Sequence, residues 1–371
     1  MLSWLYRRLR PLFFLLEPER AHGLVMGGLN VWSRLAPRPK RAGPWLDAQS
    51  AARLRQTLFG LSFTTPVGLA AGLDKGSVIA PACFRLGFGS VEIGSITPRP
   101  QSGNERPRMF RLPAARALIN RMGFNNDGLE AVARRLRSLP AQPGPIGINL
   151  GKNKDTPNER AADDYLAGFR ALAPYAGYIA INVSSPNTPG LRALQGAAEL
   201  SALISAVSAE RDRYAAQPAG RRVPLLVKLS PDEPDDRLEA IAQAAVAAGA
   251  DGLIATNTTL SRAGVEPLAN AQEAGGLSGE PLRARALSVC ARLYRATGGA
   301  TPIIGVGGIA SADDAYARIR AGASLVQLYT GLVYGGPDIA ARIARGLAAR
   351  LERDGFASLR DAVGRDSASI Q

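Results

Sequence analysis

From residue 67 onward the chain alternates short apolar runs with longer stretches whose apolar positions return every three or four residues. The runs occupy 67–71, 91–94, 146–150, 178–183, 225–229, 252–256, 302–306 and 324–328. Several are unbroken rather than alternating, as expected for parallel strands covered on both faces. Between them, helical spacing predicts helices over 129–138, 199–214, 235–248 and 313–321. Eight β-then-α units predict an α/β fold, a (β/α)8 TIM barrel. The stretch between Ser95 and Pro145 is too long for a loop and predicts extra structure over the barrel mouth, including the Pro- and Arg-rich piece 98–111.

Ahead of the barrel, Leu2, Leu5, Leu9, Leu12, Phe13 and Leu16 recur at helical spacing, with Arg7, Arg8 and Arg10 among them. Pro11 is expected to kink or divide that helix. A second periodic segment, through Val25, Leu29 and Trp32, runs to about Leu35, and 37–44 reads as a linker. No run approaches the roughly 20 apolar residues that span a bilayer, and no small-residue cleavage site follows the first apolar stretch. Two short basic amphipathic helices suit either a surface-lying membrane anchor or a cap packed on the barrel. The division expected is 1–41 for this extension, 42–355 for the barrel and 356–371 for a tail whose order the sequence leaves open.

Composition narrows the chemistry. Two cysteines, Cys83 and Cys290, in 371 residues exclude a disulfide scaffold and a cysteine-rich metal site. One histidine, His22, excludes His-clustered metals and a Ser-His-Asp triad. The net charge of +14 is uneven along the chain: within 1–41, eight basic residues face only Glu17 and Glu19. The remaining basic residues are dispersed without aromatic interleaving, which speaks against nucleic acid.

Polar groups follow all eight runs, at the barrel face where catalytic groups gather. The strings are Gly72-Leu73-Asp74-Lys75, Gly94-Ser95, Asn149-Leu150-Gly151-Lys152, Asn182-Val183-Ser184-Ser185, Lys228, Thr256-Asn257-Thr258, Gly307-Gly308 and Tyr329-Thr330-Gly331. Only five of the 45 basic residues are lysine, and Lys75, Lys152, Lys154 and Lys228 all sit at strand ends. Such retention points to work for a compact ammonium. Gly307-Gly308 before the helix expected from about 312 fits a phosphate cradle of backbone N–H groups. No G-x-G-x-x-G opens an early helix, so a Rossmann nicotinamide site is unsupported. On these grounds alone a redox barrel and a phosphate-binding isomerase or aldolase both stand.

Three strings decide further: Ala71-Gly72-Leu73-Asp74-Lys75, Asn120-Arg121-Met122-Gly123-Phe124-Asn125-Asn126 and Asn182-Val183-Ser184-Ser185-Pro186-Asn187-Thr188. Together they resemble the dihydroorotate dehydrogenases, over about residues 1–350. The N-terminal helices and Ser185 resemble the quinone-dependent, membrane-associated class 2; cytosolic classes carry a Cys at that place, where neither Cys83 nor Cys290 lies. The resemblance implies oxidation of (S)-dihydroorotate to orotate with FMN, electrons passing to a membrane quinone, in pyrimidine biosynthesis. It implies FMN contacts at Ala71, Gly72, Ser95, Asn149, Asn182, Lys228, Thr256, Gly279, Gly308, Tyr329 and Thr330. Substrate would meet Lys75, Asn120, Met122, Gly123, Phe124, Asn182, Asn187, Asn257 and Thr258, with Ser185 as the catalytic base. His22, Arg111 and Tyr329 would line a quinone tunnel. Without a transit segment ahead of the helices, the expected place is peripheral, on the cytoplasmic face of a bacterial inner membrane.

Overall fold

The computed structural model describes residues 2–35 and 45–370. The linker read at 37–44 lies outside the described residues. The strands are β1 (Gln56–Leu58), β2 (Leu61–Phe63), β3 (Val67–Leu69), β4 (Ser90–Ile96), β5 (Met109–Leu112), β6 (Ala117–Asn120) and β7 (Ile146–Leu150). They continue with β8 (Tyr178–Asn182), β9 (Leu225–Leu229), β10 (Gly252–Ala255), β11 (Gly276–Gly279), β12 (Ile303–Val306) and β13 (Ala323–Leu328). Eight of them close into a parallel barrel in the order β3-β4-β7-β8-β9-β10-β12-β13, and each apolar run of the sequence forms one barrel strand.

The runs are unbroken because both faces are covered. Outward side chains such as Val91, Ile93, Ile148, Ile181 and Val227 pack under the helices. Inward ones form a second core of Ala70, Tyr178, Ala180, Leu226, Ile254, Ile304 and Leu325. The antiparallel β1–β2 hairpin adds Phe63 to that inner core, with Leu58, Phe59 and Leu61 packed against it, and so closes the barrel floor. Gly147 is required beside it, since a Cβ there would fall 2.1 Å from the Tyr178 ring.

Helices Gly128–Ser138, Ala197–Ala215, Asp235–Ala247 and Ala312–Arg320 fall within two residues of the expected bounds. The extra structure between Ser95 and Pro145 is β5 and β6, which join β11 in an antiparallel sheet around Leu112, Ala117, Ile119 and Leu277. Residues 356–370 fold back onto the barrel: Leu359 and Ala362 are fully buried, and Arg320 holds Asp366.

The N-terminal extension is two helices, α1 (Leu2–Leu15) and α2 (Pro18–Leu35), and a division of the first at Pro11 is corrected. Pro11 lies within a continuous α1; the break comes at Glu17-Pro18. There the Glu17 carboxylate accepts the N–H groups of Glu19 and Arg20 at 2.9 and 2.8 Å. Pro18 takes the first helical position, where its missing N–H is not needed. α2 is clamped to the barrel by Glu19, which accepts from Arg108 at 2.7 Å and Arg106 at 2.9 Å. α1 is tied through the Tyr6 hydroxyl to Val333 O at 2.5 Å and Arg10 to Tyr334 O at 2.8 Å.

Candidate active site

Seven of the eight barrel strand ends line one cavity of about 470 Å³ at the carboxyl mouth. Ala71, Gly72 and Lys75 come from beyond β3, Ser95 from β4, Asn182 and Ser185 from β8, and Lys228 from β9. Thr256, Asn257 and Thr258 follow β10, Gly307 and Gly308 follow β12, and Tyr329 and Thr330 follow β13. The antiparallel sheet and its loop add Asn120, Met122, Gly123, Phe124 and Gly279, and Asn187 completes the substrate set. Lys75, Ser185 and Asn257 therefore share one chamber.

Asn149 of β7 does not reach the cavity; it stands one layer deeper. Its Oδ1 accepts from Ser95 Oγ and from Asn182 Nδ2 (3.1 Å), while its Nδ2 donates to Glu92 Oε1 at 2.9 Å. Glu92 is fully buried; its other oxygen accepts from Tyr178 at 2.9 Å and Gln327 at 3.0 Å. Lys228 Nζ lies 3.9 Å from Glu92 and has no other ion-pair partner among the described residues. Burial lowers the Lys228 pKa, and the Glu92 carboxylate opposes that shift. The sequence reading passed over this layer. Its signal was present: Glu92 and Gln327 are polar residues inside otherwise apolar strands, at positions facing the barrel axis.

Above that layer, amide side chains meet edge to edge. Asn257 Nδ2 donates to Asn182 Oδ1 (3.2 Å) and Ser184 Oγ (3.0 Å), and Asn187 Nδ2 donates to Asn120 Oδ1 (3.3 Å). Ser185 is buried, and its Oγ accepts the Asn187 N–H at 3.3 Å. Thr188, three residues on, has a buried hydroxyl with no hydrogen-bond partner among the described residues. Lys75 makes no hydrogen bond within the described protein. Burial pushes its pKa down to about 8, with Glu19 and Asp74 pulling up and Arg108 pushing down. The Asp74 carboxylate accepts from the N–H groups of Val78 and Ile79, both at 2.9 Å, which fixes the turn that presents Lys75. Of the four strand-end lysines, only Lys75 and Lys228 face the cavity. Lys152 instead donates to Thr156 O at 2.7 Å, and Lys154 is exposed.

The two loops after β12 and β13 supply a different chemistry. The N–H groups of Gly308, Ile309, Thr330 and Gly331 have no acceptor in the described protein, and all four residues line the cavity. Gly308 takes φ +70, and a Cβ on it would meet Arg283 Cα at 2.4 Å, so glycine is required there. Arg10, Lys75, Arg116, Lys228 and Arg342 border the chamber against Glu280 as the only carboxylate among its lining residues. Such a chamber suits a ligand with at least one anionic group.

The three residues expected along a quinone route are not gathered on one lining. Tyr329 lies in the main cavity, its pKa raised to about 12 by burial. His22 lines a second cavity of about 350 Å³ beside α2, which shares Lys75, Met122 and Asn125 with the first. Burial and the Lys75 charge lower His22 to about 4, so the imidazole is neutral. Arg111 borders neither cavity; it donates to Leu16 O at 2.7 Å and lies 4.7 Å over the Phe14 ring. The main cavity does extend toward α1, where Arg10, Met109 and Tyr334 line it. Arg10 and Tyr334 were not singled out from sequence, because their approach depends on how α1 docks.

A closed parallel barrel, a cationic amide-rich chamber at its carboxyl mouth and free N–H groups on its last two loops define a phosphate-binding (β/α)8 enzyme. The comparisons give the family. Residues 53–351 match the dihydroorotate dehydrogenase family, and the chain belongs to it. A curated dihydroorotate dehydrogenase (quinone) of Anaeromyxobacter dehalogenans is 54% identical over 364 residues, spanning 98% of this chain and 97% of the relative. Another from Deinococcus deserti is 52% identical over 364 residues, spanning 98% and 100%. A crystal structure of DHODH from Eimeria tenella in complex with ferulenol superposes with a TM-score of 0.85 at 39% identity, covering 94% of this chain and 95% of that one.

Proposed function

We propose that this chain oxidises (S)-dihydroorotate to orotate with FMN and passes the electrons to a membrane quinone, a step of pyrimidine biosynthesis. One observation carries the reading: Lys75, Ser185 and Asn257, from three separate strand ends, line a single chamber together with a loop pair rich in free N–H groups. Family membership and the quinone-dependent relatives support the same activity.

The residues fit FMN. Gly308 and Thr330 hold the phosphate with their loops' N–H groups, while Ala71, Gly72, Ser95, Asn182, Thr256, Gly279 and Tyr329 border the space for the ring system. Asn149 acts from one layer down by orienting Ser95 and Asn182. Bound there, FMN supplies the two-electron acceptor that takes hydride from the substrate and yields electrons to quinone. Lys228, a buried cation with one distant carboxylate, favours negative charge on its cavity side. Lys75 receives the substrate carboxylate, and the Asn120, Asn187, Asn257 and Thr258 side chains match its ring donors and acceptors. Met122, Gly123 and Phe124 close over that end. Ser185 takes the C5 proton while its own hydroxyl proton passes to the Thr188 hydroxyl, which hands its own proton on to solvent water.

Quinone approaches along the side of the cavity bordered by Arg10, Met109, Tyr329 and Tyr334, with Arg111 bracing α1. Neutral His22 stands one wall away, across Lys75 and Met122. No helix among the described residues is long and apolar enough to cross a membrane. Of the ten exposed large hydrophobic residues among those described, eight nevertheless sit on α1 and α2 and a ninth, Leu16, in the turn between them. That concentration supports a surface-lying anchor. Arg8, Arg20 and Arg34 on the same helices suit an anionic leaflet, and the two curated relatives named above are bacterial. The proposed place is thus the cytoplasmic face of a bacterial plasma membrane. The test is spectroscopic: dihydroorotate should bleach the bound flavin without oxygen, and a ubiquinone or menaquinone analogue should restore its colour. A flavin that dihydroorotate leaves oxidised would overturn the assignment.

A further inference from the structure

Arg318 on helix Ala312–Arg320 is the largest fully buried side chain of the protein, and among the described residues it has no ion-pair partner. Its guanidinium donates to backbone carbonyls instead: Val306 O at 3.2 Å, Gly307 O at 2.9 Å and Arg283 O at 3.3 Å. Nε is buried with no acceptor among the described residues. Burial lowers its pKa to about 10, so the charge persists at neutral pH. The next carbonyl of the same loop, Gly308 O, accepts from Arg283 Nε at 3.2 Å, and Arg283 is held in turn by Asp314 at 2.9 Å. Gly305 makes room for the stem, since a Cβ there would lie 2.4 Å from Arg318 Cγ.

Three consecutive carbonyls, of residues 306, 307 and 308, are thereby gripped from the helix side. In trans peptide groups the C=O and N–H vectors oppose each other. Val306 O also accepts the Thr256 N–H of the neighbouring strand at 2.9 Å, whereas holding the oxygens of 307 and 308 outward turns the N–H groups of Gly308 and Ile309 toward the cavity that both residues line. The result is an anion-binding concavity backed by a whole buried positive charge. A buried guanidinium is costly unless a negative group offsets it; Asp314 opposes the loss of its proton from a distance, but no carboxylate among the described residues pairs with it directly.

We propose that Arg318 is a positioning residue for flavin phosphate. It orients the Gly308 and Ile309 N–H groups and places its charge behind them, so that the protein selects the phosphorylated flavin over the unphosphorylated one. This rests on the FMN reading above. The test compares FMN and riboflavin binding, by flavin fluorescence quenching, to full-length protein stripped of flavin. Arg318→Met keeps the stem and removes charge and donors; Arg318→Lys keeps the charge and loses the fork. Charge-assisted hydrogen bonds of this kind set the scale. The FMN dissociation constant should rise by about ten- to a hundredfold in Arg318→Met and less in Arg318→Lys, with riboflavin shifting under about twofold. A merely structural role would weaken both flavins alike, and an unchanged FMN-to-riboflavin ratio in either folded variant overturns the proposal. Should Arg318→Met not fold, the ratio in Arg318→Lys decides alone. A wild-type protein that binds FMN no better than riboflavin would instead bring down the FMN reading, before any variant is measured.

Discussion

The Lys75 ammonium is the most exacting test of the site, because its charge is set by the same burial that makes it useful. It makes no hydrogen bond within the described protein, so Lys75→Met leaves no protein acceptor unpaired and replaces a stem of similar length. A charge-assisted contact with the orotate carboxylate is worth about 1.5–3 kcal/mol, or ten- to about a hundredfold in Kd. Because the free pKa is lowered to about 8, the cation is present at pH 7 and largely lost by pH 9. The anion needs the cation, so binding is strong below pH 8 and weakens above it. Orotate titrations followed by the visible flavin band should show Kd rising close to tenfold, on the order of the proton lost per unit of pH, between pH 7 and 9. In Lys75→Met, Kd should start about ten- to a hundredfold weaker at pH 7 and stay flat over that range. A flat wild-type profile, or a variant within about twofold of wild type at pH 7, would refute the assignment of Lys75 to the carboxylate.

Two further outcomes follow from the same geometry. Ser185→Ala should retain a yellow protein and near-normal orotate binding while steady-state turnover falls by about a hundredfold or more; turnover near wild type would remove Ser185 from the base role. Exchanging exposed Leu12, Leu24 and Val31 together for serine should cut binding to anionic vesicles by about a hundredfold, from roughly 1 kcal/mol of apolar contact at each site. Because these side chains are exposed, melting temperature should hardly change; unaltered vesicle binding would show that the apolar faces of α1 and α2 are not the anchor.

How far the sequence could be read depended on the range of the interaction. Local patterns were strong at the barrel strands, because a strand covered on both faces must be apolar throughout. The Asn182-Val183-Ser184-Ser185 string was legible because its residues act near one another. Lys152 shows the limit: it has the same strand-end position as Lys75, yet its ammonium turns back to Thr156 O. Pro11 shows another, since it leaves α1 undivided while the break falls at Glu17 and Pro18, which cap the next helix.

Alternating apolar runs and helical stretches thus determined by themselves that eight strands form and that their polar ends face one way, since hydrophobic burial allows few other arrangements. Only the closed barrel decided which ends converge, for convergence is a long-range matter of register and tilt. Glu92, Tyr178, Gln327 and Lys228, from β4, β8, β13 and β9, meet around one buried carboxylate. Arg318 likewise acquires its task only when a helix packs behind the β12 loop. Neither grouping leaves a trace at any fixed spacing along the chain, because the distances that matter are set by closure across the barrel.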